Sequence, residues 1–194
     1  CSGGRRNAAF LVVIKSNKYG ILLDCGPTTL QALKKNQLST NVIDYIFITH
    51  FHGDHIGGIP FLLLNMLLIE KRQKPINIIG PIGLAEKIET LNDLFYPSLK
   101  EGFDTFGINY LEITTEKTFN FDGFQFIAYK TKHTAESLGY RLFFDNGKII
   151  TYSGDTGWSD NLLELFNRAD VGIIECSFLK STIDTHLNLE KALL

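Results

Sequence analysis

The feature that most constrains this chain is the stretch 49–58, THFHGDHIGG, which gathers three of the chain's five histidines and one aspartate. It directly follows an apolar run, 42–48, that predicts a buried strand. Three imidazoles this close would repel one another when protonated, so a bound cation explains the crowding better than a core or surface role does. Its candidate ligands are His50, His52, Asp54 and His55.

The spacing within this stretch predicts two cation positions. Side chains two residues apart at a strand end point the same way, so His50 and His52 can bind one cation from a single face. Asp54 and His55 are adjacent, and a helix starting near Asp54 would direct them towards a second cation beside the first. A carboxylate also suits the positive end of a helix dipole.

Amino-acid composition limits the cellular compartment and the classes of binding partner that we expect for this chain. The formal net charge is −2 and the pI is about 6.2, so no basic patch supports a nucleic-acid partner, although one remains possible. The three cysteines, Cys1, Cys25 and Cys176, form no CxxC pair, which favours a reducing, cytoplasmic compartment over disulfides or a thiolate zinc site. The longest apolar run, 61–69, is too short to span a bilayer, so no membrane partner is expected.

Hydrophobic patterning predicts an α/β fold of four layers, in which two mixed β-sheets pack face to face with helices on both outer faces. A hairpin joins the runs 9–14 and 19–24 through residues 15–18. Residues 97–107 are expected to form a loop over the site mouth. The chain is read as one domain, 1–194, that lacks residues at both ends. Further strands are predicted at 42–49, 76–79, 111–114, 118–121, 124–129, 139–144, 148–152 and 171–175, and helices at 28–36, 58–71, 82–95, 160–168 and 187–194.

Two further candidate ligands follow predicted strands. His133 is well placed to be the third imidazole on the cation held by His50 and His52, unless it is a surface loop residue. A carboxylate can bridge two cations, which an imidazole cannot, so Asp155 is the natural bridging ligand. The alternative for Asp155 is an Asx turn or a helix cap.

These motifs resemble the metallo-β-lactamase superfamily: the His-x-His-x-Asp-His cluster, a lone His133, and Asp155 within Ser-Gly-Asp-Thr. The segments HTAESLGYR, from His133, and ECSF, from Glu175, resemble the branch of ribonuclease Z and of the cyclic-phosphate phosphodiesterases. Only 22 positions separate His133 from Asp155, too few for the arm with which ribonuclease Z grips tRNA, so the chain is more similar to the armless phosphodiesterases.

The resemblance implies a binuclear metal-dependent hydrolase, most simply a phosphodiesterase in which a metal-bridging hydroxide attacks a nucleotide-like or cyclic phosphate ester. Zinc is the first expectation for the two divalent ions, with manganese or iron as alternatives. It further implies that Asp54 orients the hydroxide and that His186 protonates the leaving group. Glu175 either orients His186 or has only a structural role at the end of a strand. The last ligand of the second metal is then expected beyond Leu194. The alternative is that His186 itself serves as that ligand. Homodimers are common among similar proteins.

Two other functions remain open at this stage. The same scaffold could hydrolyse a thioester or a lactone, because hydroxide attacks carbonyl carbon as well as phosphorus. A non-catalytic member could keep the fold only for binding, although six intact candidate ligands argue against a degenerate site. Comparing a phosphodiester with a thioester substrate, and measuring metal content, would separate these possibilities.

Overall fold

The computed structural model describes residues 7–14, 19–180 and 183–193. The predicted hairpin turn at 15–18 lies outside these residues, as do Cys1 and Leu194. The chain divides into two units, Cys1–Glu112 and Ile113–Leu194. Each unit carries a sheet of its own, and the two are described in turn.

The sheet of the first unit is mixed and five-stranded, with its strands in chain order. The first pair is antiparallel, as the hairpin prediction required, with Phe10 opposite Leu23. The next two pairings are parallel, and they place Leu23 beside Phe47 and Phe47 beside Ile79. The strands are β1 (Phe10–Ile14), β2 (Tyr19–Leu23), β3 (Tyr45–Phe47), β4 (Ile76–Pro81) and β5 (Ile108–Ile113).

Five α-helices accompany this sheet, and they correct several boundaries. The predicted strand 42–49 shrinks to β3 because a 3-10 turn, Thr40–Val42, precedes it, capped by the Ser39 side chain. The predicted loop 97–107 is wrong, since a 3-10 turn, Pro97–Leu99, and a helix occupy most of it. The helices are α1 (Thr29–Lys35), α2 (Gly53–Ile56), α3 (Ile59–Leu64), α4 (Leu84–Phe95) and α5 (Lys100–Asp104).

Two helix predictions in this unit change in detail. The helix expected at 58–71 is α3 continued by a π-helical turn, Asn65–Ile69, in which the Glu70 amide donates to the Asn65 carbonyl. Pro81 ends β4 instead of starting a helix, and α4 begins only after Gly83, whose φ of 92° suits a residue without a side chain. The buried core of this unit combines strand residues with apolar faces of α3 and α4, including Leu22, Ile46, Ile78, Leu62 and Ile88.

The sheet of the second unit is also mixed and five-stranded, in the order β10-β9-β8-β7-β6. The three pairings from β6 to β9 are antiparallel, as the hairpin-forming pairs Asp122-Gly123 and Asn146-Gly147 in the sequence indicate. β10 runs parallel to β9 at the sheet edge. The strands are β6 (Thr118–Phe121), β7 (Phe124–Lys130), β8 (Leu138–Phe144), β9 (Ile149–Tyr152) and β10 (Val171–Ile173).

The predicted strand at 171–175 is correct in position but not in burial, because an edge strand leaves Val171 49% exposed. Two short helices complete the unit, α6 (Asn161–Phe166) and α7 (Leu189–Ala192). α6 contributes Leu162 and Leu165 to a small core with Leu187. The two mixed sheets with helices confirm the α/β class. None of the helices in the described ranges combines the length and apolar character needed to cross a bilayer.

Candidate metal centre

The histidine cluster of the first unit lies where β3 ends and α2 begins. His50 is fully buried and His55 is 2% exposed, whereas His52 is exposed. The Nε2 atom of His50 lies 3.1 Å from Nδ1 of His52, and the rings of His50 and His55 lie 4.2 Å apart between centroids. The structure therefore brings together all three imidazoles of the cluster.

Asp24 holds this cluster in place, and the sequence did not single it out. It follows β2 directly and is fully buried. Its Oδ1 atom accepts from the Thr49 amide at 2.8 Å, and its Oδ2 atom lies 2.7 Å from Nδ1 of His55. The Thr49 hydroxyl contacts both Asp24 and Nδ1 of His50, so one carboxylate orients two imidazoles. Such support fixes the tautomer and direction of a metal-binding imidazole.

Asp54 lies in α2 next to His55 and is half-buried. Burial alone would raise the pKa of its carboxyl, but the adjacent His55 and the backbone amide of Asp54 contribute to holding that pKa below its ordinary value. Asp54 therefore stays ionised. Among the residues described, no group of three ligand-type atoms within 4.8 Å includes it.

The second unit brings together His133, Asp155 and His186. Their candidate ligand atoms lie within 4.8 Å of one another, and Oδ2 of Asp155 is 4.0 Å from a ring nitrogen of each histidine. Nδ1 of His133 lies 3.1 Å from the Thr185 carbonyl, which favours donation from that nitrogen and leaves Nε2 towards the carboxylate.

Glu175 ties the segments around this group together. Its Oε1 atom lies 2.6 Å from Nδ1 of His186, while its Oε2 atom accepts from the Thr156 amide at 2.6 Å and from the Leu187 amide at 3.3 Å. Its own amide donates to the Ser153 hydroxyl. One carboxylate thus contacts both His186 and the turn that follows Asp155.

The turn after Asp155 also needs a glycine. A Cβ atom on Gly157 would lie 1.8 Å from the Asp184 carbonyl oxygen, so no side chain fits there. The Gly157 amide donates to the Lys132 carbonyl at 2.8 Å. This contact brings the segment that carries Asp155 against the segment that carries His133.

The donor sets fit a divalent metal ion of the zinc type. Each unit supplies imidazole nitrogens, and the second adds a carboxylate, which are the ligands that zinc takes in catalytic sites. Burial raises the pKa of the Cys25 thiol to about 12, which disfavours the thiolate, and none of the candidate ligand groups among the described residues includes Cys25. The absence of a CxxC motif and the raised pKa of the Cys25 thiol both favour a site of nitrogen and oxygen ligands.

Comparisons with known proteins agree with this geometry. A family model described as "Anti-Pycsar protein Apyc1" matches residues 5–193. The ribonuclease Z of Staphylococcus haemolyticus is 36% identical over 121 residues, which make up 62% of this chain and 38% of that protein. The matched part of the chain therefore covers less than half the length of this curated relative.

Solved structures show the same fold. The short form of human tRNase Z superposes with a TM-score of 0.81 at 26% identity, covering 99% of this chain and 81% of that one. The metallo-β-lactamase fold protein YhfI from Bacillus subtilis gives a TM-score of 0.77 at 21% identity, covering 98% and 73%. At the latter identity the likeness concerns the fold alone.

Proposed function

The chain belongs to the anti-Pycsar protein Apyc1 family and has the metallo-β-lactamase fold of the ribonuclease Z-like branch, and we propose that it is a metal-dependent phosphodiesterase. Its substrate would be a small phosphate ester, nucleotide-like or cyclic. The names of its relatives support phosphate-ester chemistry, since the curated protein from Staphylococcus haemolyticus is a ribonuclease Z and the human structure is a tRNase Z. A small substrate fits a chain without a basic excess better than tRNA does.

The observation that carries the proposal is the group His133, Asp155 and His186, whose ligand-type atoms lie within 4.8 Å of one another. A purely structural role would not explain why two imidazoles and a carboxylate, all typical metal ligands, lie this close together. Glu175, 2.6 Å from His186, gives this group the supporting carboxylate that metal and proton-transfer sites share.

In the proposed assignment, His50, His52 and His133 would hold one divalent ion, Asp54 and His55 would hold the other, and Asp155 would serve both. Divalent ions such as zinc supply Lewis acidity, polarising the phosphoryl oxygen and lowering the pKa of water to about 7. Zinc fits the nitrogen and oxygen donors, and manganese or iron would fit them as well. The 3.1 Å separation between Nε2 of His50 and Nδ1 of His52 supports placing these two imidazoles on one cation.

The remaining roles belong to side chains that handle protons. His186 would protonate the departing alkoxide, with Nδ1 fixed by Glu175 so that the proton is delivered from the opposite ring nitrogen. Asp54, kept ionised at neutral pH, would orient the attacking water. The alternative for His186 is a place among the metal ligands, and its distance of 4.0 Å from Asp155 is compatible with that.

A pair of substrates tests the proposal. The purified chain should hydrolyse bis(p-nitrophenyl) phosphate, lose that activity after dialysis against a chelator, and regain it with zinc. A thioester substrate should react much more slowly. Faster turnover of the thioester would instead favour the carbonyl hydrolase, and stoichiometric metal without any turnover would favour a binding-only protein.

A further inference from the structure

A cleft of about 210 Å³ lies in the first unit between α4, α5 and β5. It involves none of the candidate metal ligands. Three of its lining residues, Glu89, Asn92 and Asp93, recur along α4 at the spacing of one helix face, and a fourth, Tyr96, directly follows the helix. Asp104, at the end of α5, and Tyr110, in β5, complete its polar lining.

The charged residues that line this cleft are all acidic. Glu89, Asp93 and Asp104 are exposed, so each carboxylate keeps its hydration and attracts a cation only weakly by itself. Three of them around one concave space create a negative potential that favours a positively charged ligand. A cluster of this kind needs a further feature to hold a ligand in place.

Asn92 supplies that feature. It is 7% exposed, and its Oδ1 atom has no hydrogen-bond partner among the residues that the structure describes. A buried amide oxygen without a partner destabilises the folded chain, so the site is incomplete without a donor. Because Asn92 lines the cleft, a ligand that carries N–H groups could provide that donor.

The walls of the cleft are aromatic. The ring of Tyr96 is held edge-on by Phe61 and Phe95, with centroids 6.3 and 6.4 Å away. Burial, and then the charge of Glu89, raise the pKa of Tyr110 above its ordinary value, so its phenol stays protonated and neutral. Aromatic faces attract organic cations and pack against methylene groups.

We propose that this cleft binds an aliphatic polyamine, whose ammonium groups pair with Glu89, Asp93 and Asp104 and donate to Asn92. A bare metal ion needs several oxygen ligands drawn in to 2.0–2.6 Å, and a cleft of this volume with aromatic walls offers poor support for that. An alkyl chain between two ammonium groups instead matches both the acidic rim and the apolar wall. The proposal concerns binding and does not depend on the proposed hydrolysis.

Calorimetric titration of the intact chain with spermidine tests the inference. Spermidine should bind at a single site, and the variant E89Q/D93N/D104N should weaken binding at least about tenfold, since three modest charge interactions add to roughly 1.4 kcal/mol or more. The matched control, E86Q/E101Q/E116Q, removes as many exposed carboxylates elsewhere and should stay within about twofold of wild type. The uncharged chain 1,8-octanediol should not bind.

A second variant addresses Asn92 directly. N92L should weaken spermidine binding while leaving the melting temperature of the ligand-free protein at or above that of wild type, because leucine has similar size and removes the unpartnered oxygen. The inference is overturned if wild type does not bind spermidine, if both triple variants lose binding equally, or if N92L binds as wild type does. Calcium binding at this cleft in place of spermidine would overturn it as well.

Discussion

At the scale of single residues, Asp24 shows that motif spacing does not predict which residues support the metal ligands. It has no motif of its own, and the run Asp24-Cys25-Gly26-Pro27 reads only as the end of a strand. The parallel pairing of β2 with β3 puts Leu23 beside Phe47, and so puts Asp24 beside Thr49. The sequence signal that could have identified Asp24 is a charged residue directly after an apolar strand, where a buried carboxylate needs a partner.

Replacing Asp24 by asparagine should weaken metal binding by about 10- to 100-fold, because His55 and Thr49 lose a charged acceptor. The φ of 57° at this position is one that asparagine tolerates, so the backbone should not change. Competition against a fluorescent chelator measures the effect. D44N is the matched control, since Asp44 also accepts a backbone amide, that of Gly20, and has no histidine among its described hydrogen-bond partners. Equal affinities in D24N and wild type would contradict the role given to Asp24.

His186→Ala should slow turnover by about 10²- to 10⁴-fold while the metal content stays near that of wild type, since a general acid contributes in this range. Elemental analysis and steady-state kinetics on the same preparation give both values. His52→Ala serves as the comparison, because removing a proposed ligand should lower metal content. If His186→Ala loses a metal equivalent, His186 is a ligand and its role as proton donor is wrong.

The ligand-type residues that the sequence identified were those with fixed local spacing or a strand-end position, such as His50, His52 and His133. The structure gathers His133 with Asp155 and His186, three residues far apart in sequence whose proximity no local pattern encodes. Only the family resemblance links Glu175 to His186 in the sequence, and the two side chains lie 2.6 Å apart. Residues that orient another side chain, such as Asp24 and Glu175, are hard to recognise from a sequence because they belong to no motif of fixed spacing.

At the scale of elements, the turn after β9 depends on close backbone contact. Gly157→Ala should lower stability by about 2 kcal/mol, because the added methyl group would overlap the Asp184 carbonyl and force the segment apart. Thermal melting reports the loss. Gly53→Ala, at a position where nothing lies within 4 Å of the added carbon, should melt close to wild type. Equal melting of the two variants would contradict the packing described for Gly157.

Glu70 joins three elements of the first unit. Burial would raise its pKa, but hydrogen bonds from Lys34 and Ser39 outweigh this and hold the pKa at about 2. A lowered pKa means that the carboxylate adds stability above its ordinary value of 4.5, and that this stability is lost as the pH falls towards 2. Its side chain also accepts from the Thr40 amide at 3.2 Å.

Glu70→Gln should therefore cost about 1–2 kcal/mol at pH 7, and its difference from wild type should shrink between pH 4.5 and pH 2. Urea unfolding across this pH range measures both. Glu86→Gln, on an exposed face of α4, is the control and should have little effect at any pH. A penalty that does not vary with pH would show that the charge of Glu70 is not what matters.

Element prediction succeeded where local signals were strong and failed where distant contacts decide. The turns at 122–123 and 146–147 carry Asp-Gly and Asn-Gly pairs, and the antiparallel strands around them lie within one or two residues of prediction. The π-helical turn after α3 has no such signal, since Asn65 is buried there and donates to Thr40, 25 residues away. The helix α5 was missed because proline and glycine flank or interrupt it.

At the scale of the whole molecule, the class and branch could be predicted because alternating strands and helices carry a highly specific ligand motif. Two mixed five-stranded sheets confirm the class, and the similarity to a ribonuclease Z and to the fold of human tRNase Z confirms the branch. Substrate choice is a different matter, because a fold of this kind supports several hydrolytic reactions and the residues outside the motif select among them.

The most direct test of metal-dependent chemistry at this centre is the metal content per chain of wild type and of Asp155→Ala, measured by mass spectrometry after purification with zinc and dialysis. Asp155 is the proposed bridging ligand and lies 4.0 Å from His133 and from His186. We expect stoichiometric metal in wild type and a clear loss, together with loss of phosphodiesterase activity, in the variant. A wild-type chain without stoichiometric metal, or a variant with unchanged metal and activity, would contradict the account.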